Sequence, residues 1–477
     1  MNGLRRFRYS AILRVLLVAM FGLLNAHGAA FARDSHMIPK LDVHSDPSGL
    51  FATYQPSGPS SETNAFFQSL GTNGRACVTC HQPGDAWTIS VAHIQQRFAD
   101  THGTDPLFAP IDGANCDDSH DSSLLLGHGL IRVFLPISPV TVAGKVPEFE
   151  VTSIDDPYNC QLSDDAAQQA CQDSNGSGFA CLSVYRRPLP STNLPFLSTV
   201  MFDGREPNPA IVGLTASLTH QAIDATLGHA QAAHAPTNDQ LSQIVGFELG
   251  LFTAQIKDNA AGVLDADGAT GGPKTISALP FFFGINDSLS AGFDPEVFTL
   301  FTAWESLPGN SPTTLARESV ARGEQIFNIR TFQINSVGGL NPNGPPITGT
   351  CTTCHDTPNI GNHSLSLPLD IGISDPNNAV LNSGAYLPVF HLKCVSGPLT
   401  GHTFDTTDPG RALVTGLCAD ISKVKGPILH GLAARAPYFH NGSAASLADA
   451  VNFYDQRFTI GLSDQEKADL VAFLLSL

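Results

Sequence analysis

Apolar residues recur at helical spacing in only a few stretches of this chain, and those stretches bracket its candidate chemistry. In the C-terminal LSDQEKADLVAFLLSL, Leu470, Val471, Leu474 and Leu475 share a helical face, and Ser463 with Glu466 forms a capping box ahead of them. Leu315 to Ile329 reads as a second amphipathic helix with Ala321 and Phe327 facing inward. A third, QLSQIVGFELGLF, carries Leu241, Ile244, Val245 and Glu248 on one face. Asn64 to Leu70 predicts a short apolar-faced helix, and Gly71-Thr72-Asn73-Gly74 a turn after it. Long regular strands are scarce, so the pattern predicts a mainly α protein with long loops and insertions.

The N-terminus has a different pattern. Arg5, Arg6 and Arg8 precede an apolar run from Ala11 to Leu24, broken by Arg14, and Ala30-Phe31-Ala32 closes it. Residues 1–32 therefore read as a secretory signal peptide, since the run falls short of the ~20 residues of a bilayer span. The expectation is a periplasmic protein with no stable membrane span after signal removal. Cleavage there would remove four arginines and no acid, so the formal charge of −18 would become −22. Such a surface disfavours nucleic acid and anionic lipid as partners and would steer in a small basic one. The remaining length is too great for one ordinary core. The run Pro308-Gly309-Asn310-Ser311-Pro312 predicts a boundary between an N-terminal domain, 33–310, and a C-terminal domain, 311–477.

The chemistry lies in the cysteines. Four of the ten form Cys77-Val78-Thr79-Cys80-His81 and Cys351-Thr352-Thr353-Cys354-His355. Cys-x-x-Cys-His supplies two thiols for thioether bonds to a haem and a histidine to ligate its iron. Zinc would need the cysteine pairs to meet in space and would leave each following histidine unexplained; a redox dithiol would not need that histidine twice. Two covalently bound c-type haems are therefore expected, on His81 and His355. The other six cysteines, in an oxidising compartment, predict disulfides. Cys394 pairs with Cys418 as the only spare pair late in the chain, while Cys116, Cys160, Cys171 and Cys181 leave three connectivities open.

The second axial ligand decides between electron transfer and chemistry. Of four methionines, Met1 and Met20 fall in the signal and Met37 near the mature terminus, leaving Met201. Two ordinary His/Met carriers are excluded, so at least one haem is His/His, His/Tyr or open.

Ala436-Pro437-Tyr438-Phe439-His440-Asn441-Gly442-Ser443, followed by Leu447, Ala450-Val451 and the closing helix, resembles the C-terminal signature of the bacterial di-haem cytochrome c peroxidases, a family that includes MauG. Met201-Phe202-Asp203-Gly204-Arg205 is similar to the family's Phe-Trp-Asp-Gly-Arg segment between the haems, with Phe202 where the family has Trp. The resemblance implies a peroxidatic haem in the first domain and an electron-transfer haem in the second. It places Tyr454 at the second haem's ligand position, as in MauG, where the peroxidases have Met. It also puts Gln221 and Gln231 on the distal side of the first haem, where the family has Gln and Glu. Glutamine cannot trade a proton at neutral pH, which leaves His229 as acid–base group, as distal ligand, or as a surface residue. Arg205 and Arg435 become candidates for haem propionates, and His220, His234, His430 and His440 lie in or near family-like segments. The family's inter-domain Ca²⁺ finds a carbonyl donor in Pro437, but Arg435 stands where its threonine should be. The implied reaction is reduction of hydrogen peroxide with electrons from a basic cytochrome or cupredoxin. An oxygenase of the rubber-oxygenase type, using oxygen, and a non-catalytic electron-transfer cytochrome are the alternatives.

Overall fold

The computed structural model of the protein describes residues 37–477 apart from 117–119, 139–140, 142–143, 145 and 161–180; the expected signal peptide and Cys171 lie outside the described residues. The described chain opens with a hairpin, β1 (Leu41–Asp46) and β2 (Gly49–Tyr54). Helices α1 (Val91–Thr101) and α2 (Ser123–His128) follow the first Cys-x-x-Cys-His turn, and then come β3 (Ile131–Pro136), β4 (Phe149–Asp155) and β5 (Cys181–Arg186). Helices α3 (Leu214–Gly228) and α4 (Asn238–Leu249) lead into β6 (Phe252–Asp258) and β7 (Gly262–Val263). Helix α5 (Pro312–Ile329) precedes the second motif, and β8 (Val389–Cys394), β9 (Thr403–Thr406), α6 (Leu447–Phe458) and α7 (Asp464–Leu475) complete the order.

Helix accounts for about 32% of the described residues, so the mainly α expectation holds only in part. Antiparallel sheets in the orders β1-β2-β6-β7, β9-β8-β4 and β3-β5 account for much of the difference. Their strands escape a periodicity reading for a physical reason. β5 is buried along its whole length, and a short continuous buried run has no period-two signature. The pairing of β4 with β8 joins a strand before residue 310 to one after it, and residues 38–477 form one compact unit.

The helices that frame the chemistry fall where their apolar spacing put them. Ser311 caps α5 by accepting a hydrogen bond from the Thr314 N–H at 3.1 Å, and Pro312 occupies its first turn. Ser463 and Glu466 form the reciprocal capping box of α7. Val320, Ala321 and Phe327 of α5 pack with Leu470 and Phe473 of α7 and with Trp304. The two helices approach so closely at Gly323 that a Cβ there would lie 2.0 Å from the Asp469 carbonyl oxygen. On the other side, α4 buries Leu241, Ile244, Val245 and Glu248.

The predicted helix over Asn64–Leu70 is instead a single 3₁₀ turn, Ala65–Phe67. Seven residues return too few hydrogen bonds to offset nucleation, and tertiary contact decides the outcome, with Phe66 and Phe67 packing on Phe247 at 5.0 and 5.2 Å between ring centres. Cys394 pairs with Cys418 as expected, Cys116 pairs with Cys160, and Cys181 is also disulfide-bonded. No helix among the described residues is long and apolar enough to cross a membrane.

Candidate functional site

Both Cys-x-x-Cys-His motifs adopt the same local form. A 3₁₀ turn starts at the first cysteine, and the histidine N–H bonds back to that cysteine's carbonyl at 3.1 Å. This turn brings the two thiols and the ring to one side of the backbone. His81 Nδ1 donates to the Trp87 carbonyl at 3.1 Å, and His355 Nδ1 donates to the Gly361 carbonyl at 2.6 Å. Burial holds both rings neutral, lowering His81 to about 4 and His355 in the same direction. A neutral ring that donates through Nδ1 presents its Nε2 lone pair outward, the tautomer needed of an iron ligand.

The thiols separate haem attachment from its rivals. Cys77, Cys80, Cys351 and Cys354 are all unpaired. Burial pushes Cys77, Cys351 and Cys354 up to about 12 and Cys80 up to about 11. A reactive dithiol needs the opposite shift. Zinc fails too: among the described residues, the one convergent set of three His, Cys, Asp or Glu ligand atoms is Glu206, His220 and Asp224, with no cysteine in it.

A cavity of about 250 Å³ adjoins the second motif. Cys351, Cys354 and His355 lie on its wall together with Tyr454 of α6, whose phenol is enclosed by protein but keeps part of its surface on the cavity. Burial, then the neighbouring sulfurs Cys354 and Cys351, hold the Tyr454 phenol well above its ordinary range, so a tyrosinate here requires a cation inside the cavity. Besides Arg330, which pairs with Glu466, three wall residues are cations: Arg187, Lys425 and Arg435. Each is buried, and each donates its hydrogen bonds to backbone carbonyls. Burial lowers Arg187 and Arg435 to about 10, and burial together with Arg435 lowers Lys425 to about 8. Arg435 Nε and His440 Nδ1 have no hydrogen-bond partner among the described residues. Buried cations without counterions are costly, and an apolar cavity edged by three of them suits a flat apolar ligand carrying carboxylates. The residues present therefore fit a haem bound at Cys351, Cys354 and His355. The same cavity reaches Thr88 and Pro188 to Pro190, next to the Trp87 and Leu189 carbonyls that hold His81.

The segment after Met201 is held by buried ion pairs. Phe202 faces the cavity, its ring centre 5.8 Å from that of His440. Asp203 is fully buried and accepts from Arg186 at 2.6 Å and from Arg205 at 2.7 Å, while Arg186 also holds Asp408 through two nitrogens. Arg205 is thus engaged by Asp203 and is not on the cavity wall; Arg435 is. Arg435 also puts a buried cation where the calcium pattern has threonine, the wrong charge for a Ca²⁺ neighbour.

Around the first motif the structure reveals a partner set that spacing does not. His229 caps the C-terminus of α3, and its Nδ1 donates to Asp112 at 2.5 Å. Asp112 is buried and also accepts from Arg75. Arg75, two positions before Cys77, gives its remaining hydrogen bonds to the carbonyls of Pro106, Leu107, Ala109 and His229. Burial alone would raise the Asp112 carboxyl, but the bonds and charges of His229 and Arg75 outweigh it and hold the group below its ordinary range. The turn predicted at residues 71–74 pins the same backbone. Asn73 donates to the His229 carbonyl at 2.8 Å, and Gly71 sits so close that a Cβ would lie 1.7 Å from the Ala230 carbonyl oxygen. His229 is 38% exposed at its side chain and interacts electrostatically with His81. Gln221 is half-buried on α3, whereas Gln231 is exposed and accepts from Asn73 at 3.3 Å. Asp112 and Arg75 were missed by sequence reasoning because His229 is 117 positions from Asp112. Glu248 was read only as a helix position. It is buried near Cys77 and Ser191, with Oε2 unpartnered, and burial raises it to about 7.

Two neutral, carbonyl-oriented Cys-x-x-Cys-His turns, the second on the wall of an apolar, cation-edged cavity, have the form expected of a cytochrome c-type protein. No protein-family model matches the chain. It is 29% identical over 136 residues to a cytochrome-c peroxidase, IdrP2, of Denitromonas iodatirespirans, and 32% identical over 142 residues to cytochrome-c peroxidase IdrP1 of Pseudomonas sp. (strain SCT). Each match spans 27% of this chain and 36% of the relative, so the chain matches about a third of the length of these curated relatives. A crystal structure of a MauG-like protein associated with microbial copper homeostasis aligns loosely, with a TM-score of 0.32 at 17% identity, over 64% of this chain and 75% of its own. Over those segments the chain is similar to curated cytochrome-c peroxidases.

Proposed function

We propose that this protein is an exported di-haem c-type oxidoreductase that reduces hydrogen peroxide at the His81 site, with electrons relayed through the His355 site. The observation that carries the reading is the cavity where Cys351, Cys354, His355 and Tyr454 meet three buried cations that hydrogen-bond only to backbone carbonyls among the described residues. Cys77, Cys80 and His81 would hold the first haem. Cys351, Cys354, His355 and Tyr454 would hold the second, with Arg187, Lys425 and Arg435 facing its carboxylates. When bound, the haem irons supply the redox centres for a two-electron reduction of peroxide to water.

The chain's own residues handle the protons. His229 has its Nδ1–H donated to Asp112, so its Nε2 lone pair is available to take a peroxide proton and return it to the departing oxygen. Gln221, without a titratable proton, would orient the oxidant. The acidic chain, at −18, suits a small basic redox protein as electron donor.

The test is a stopped-flow optical titration of the ferric and half-reduced protein with one equivalent of hydrogen peroxide. A fast spectral change at the first haem, slowed in a His229→Ala variant, is expected. No reaction with peroxide but a stable complex with oxygen would replace the reading with an oxygenase. Inertness to both would leave an electron carrier.

A further inference from the structure

One cluster of metal-ligating side chains lies apart from both haem sites. We propose that Glu206, His220 and Asp224 bind a single divalent first-row transition ion, with zinc as the type. Their ligand atoms all lie within 4.8 Å of one another. His220 and Asp224 are one turn apart on α3, so both side chains leave the same face of the helix, with His220 Nδ1 3.7 Å from an Asp224 oxygen. Glu206 approaches from the segment that follows Arg205, with its Oε2 2.6 Å from the same nitrogen. One imidazole nitrogen and two carboxylates make the mixed nitrogen–oxygen set that borderline ions take.

Charge supplies an independent argument. The Glu206 side chain is only 1% exposed, and its one hydrogen-bond partner among the described residues is His220. Arg205, next to it in the chain, is taken by Asp203. Asp224 adds a second negative charge, so two carboxylates share one ring. A divalent ion replacing the proton between His220 and Glu206 would balance them. At metal–ligand distances of about 2.0–2.1 Å, tetrahedral ligand atoms sit about 3.3 Å apart. The hydrogen-bonded cluster would therefore open by less than 1 Å at its short contact. His220 and Asp224 are half exposed, which gives an ion a route in and lets water complete the shell.

The site's position gives the ion a structural task. Glu206 follows the buried Asp203 segment, and α3 ends at His229. An ion there ties that segment to the helix that positions His229, and the proposal stands on these residues whether or not the peroxide reading holds.

The test uses the full-length, haem-loaded protein, cleared of loosely bound metal with a chelator. Zinc chloride is titrated calorimetrically near neutral pH, and zinc per chain is counted after gel filtration. One zinc per chain is expected, with affinity lowered at least tenfold by His220→Ala and by Glu206→Gln, lowered less by Asp224→Asn, and unchanged by His234→Ala. Since Glu206 is buried and its variant could fail to fold, the exposed Asp224→Asn and His220→Ala carry the test on their own. Zinc binding that ignores all three variants, or no retained zinc in the wild type, would overturn the site and leave a Glu206–His220 ion pair.

Discussion

The sharpest prediction concerns Asp112→Asn. Arg75 can only donate, so the amide of the variant must turn its oxygen to the guanidinium and its NH₂ to His229 Nδ1. The ring then has to accept at Nδ1, which moves its proton to Nε2 and removes the lone pair proposed to take the peroxide proton. Loss of a positioned acid–base group costs about 10²–10⁴ in rate, and the same inversion in the serine-protease triad costs about 10⁴. We therefore expect the second-order rate constant with peroxide to fall by about 10²–10³. Stability should fall as well, because Arg75 is left buried without an anion. The four carbonyls that it retains set the loss near the lower end of the usual range, about 3 kcal/mol.

The assay is stopped-flow absorbance of the first haem, with haem content and a denaturant melt run on the same preparation. A double-mutant cycle makes the effect specific: Asp112→Asn should slow the reaction in the wild-type background and do almost nothing further in His229→Ala. A variant that retains both haems and reacts within a factor of a few of wild type would refute the reasoning. So would an equal slowing in both backgrounds, which would make Asp112 merely structural.

Three further outcomes are expected. Tyr454→Phe should change the optical and magnetic spectrum of the second haem with little loss of stability, since no described hydrogen bond to the phenol oxygen is broken; an unchanged spectrum would remove Tyr454 as ligand. Glu248→Gln should stabilise the protein relative to wild type at alkaline but not at acid pH. A carboxyl raised to about 7 in the native state keeps a proton that the unfolded chain releases at about 4.3, so wild-type stability is lost as pH rises across that window. The difference should approach about 4 kcal/mol above pH ~7 in melts run on both proteins, and parallel curves would contradict it. Gly323→Ala should destabilise by about 1–3 kcal/mol because its Cβ meets the Asp469 backbone, with the loss read in urea melts; a neutral result would mean that α5 and α7 are not packed so closely.

What the sequence discloses and what it hides follows from the range of the interactions involved. Helices α4, α5 and α7 carry their own signal, because an apolar stripe and a cap are local, and the structure puts Glu248, Ala321 and the Ser463–Glu466 box where the spacing does. The Cys-x-x-Cys-His turns are local too, and both orient their histidine through a carbonyl six residues on. The sheets are not local: β4 gains its strand character from β8, roughly 240 positions away, and has no stripe of its own. The same holds for the residues around His229. Its exposure and position at a helix end look like those of a surface histidine, and only the fold brings Asp112 beneath it and Arg75 beneath that.

That contrast bears on how the two sites differ. On the cavity beside His355, Arg187, Lys425 and Arg435 are buried with only backbone carbonyls as hydrogen-bond partners among the described residues, so the site suits a ligand that brings carboxylates. Near His81 the charges around His229 are already paired, Arg75 with Asp112 and Asp112 with His229, which leaves that imidazole's second nitrogen as its free capacity. A site whose buried cations have only carbonyl partners suits holding a charged group permanently, whereas a half-exposed lone pair backed by a fixed carboxylate suits passing a proton to something that comes and goes. The division of labour proposed here, electron relay at His355 and peroxide at His81, rests on that difference in electrostatics.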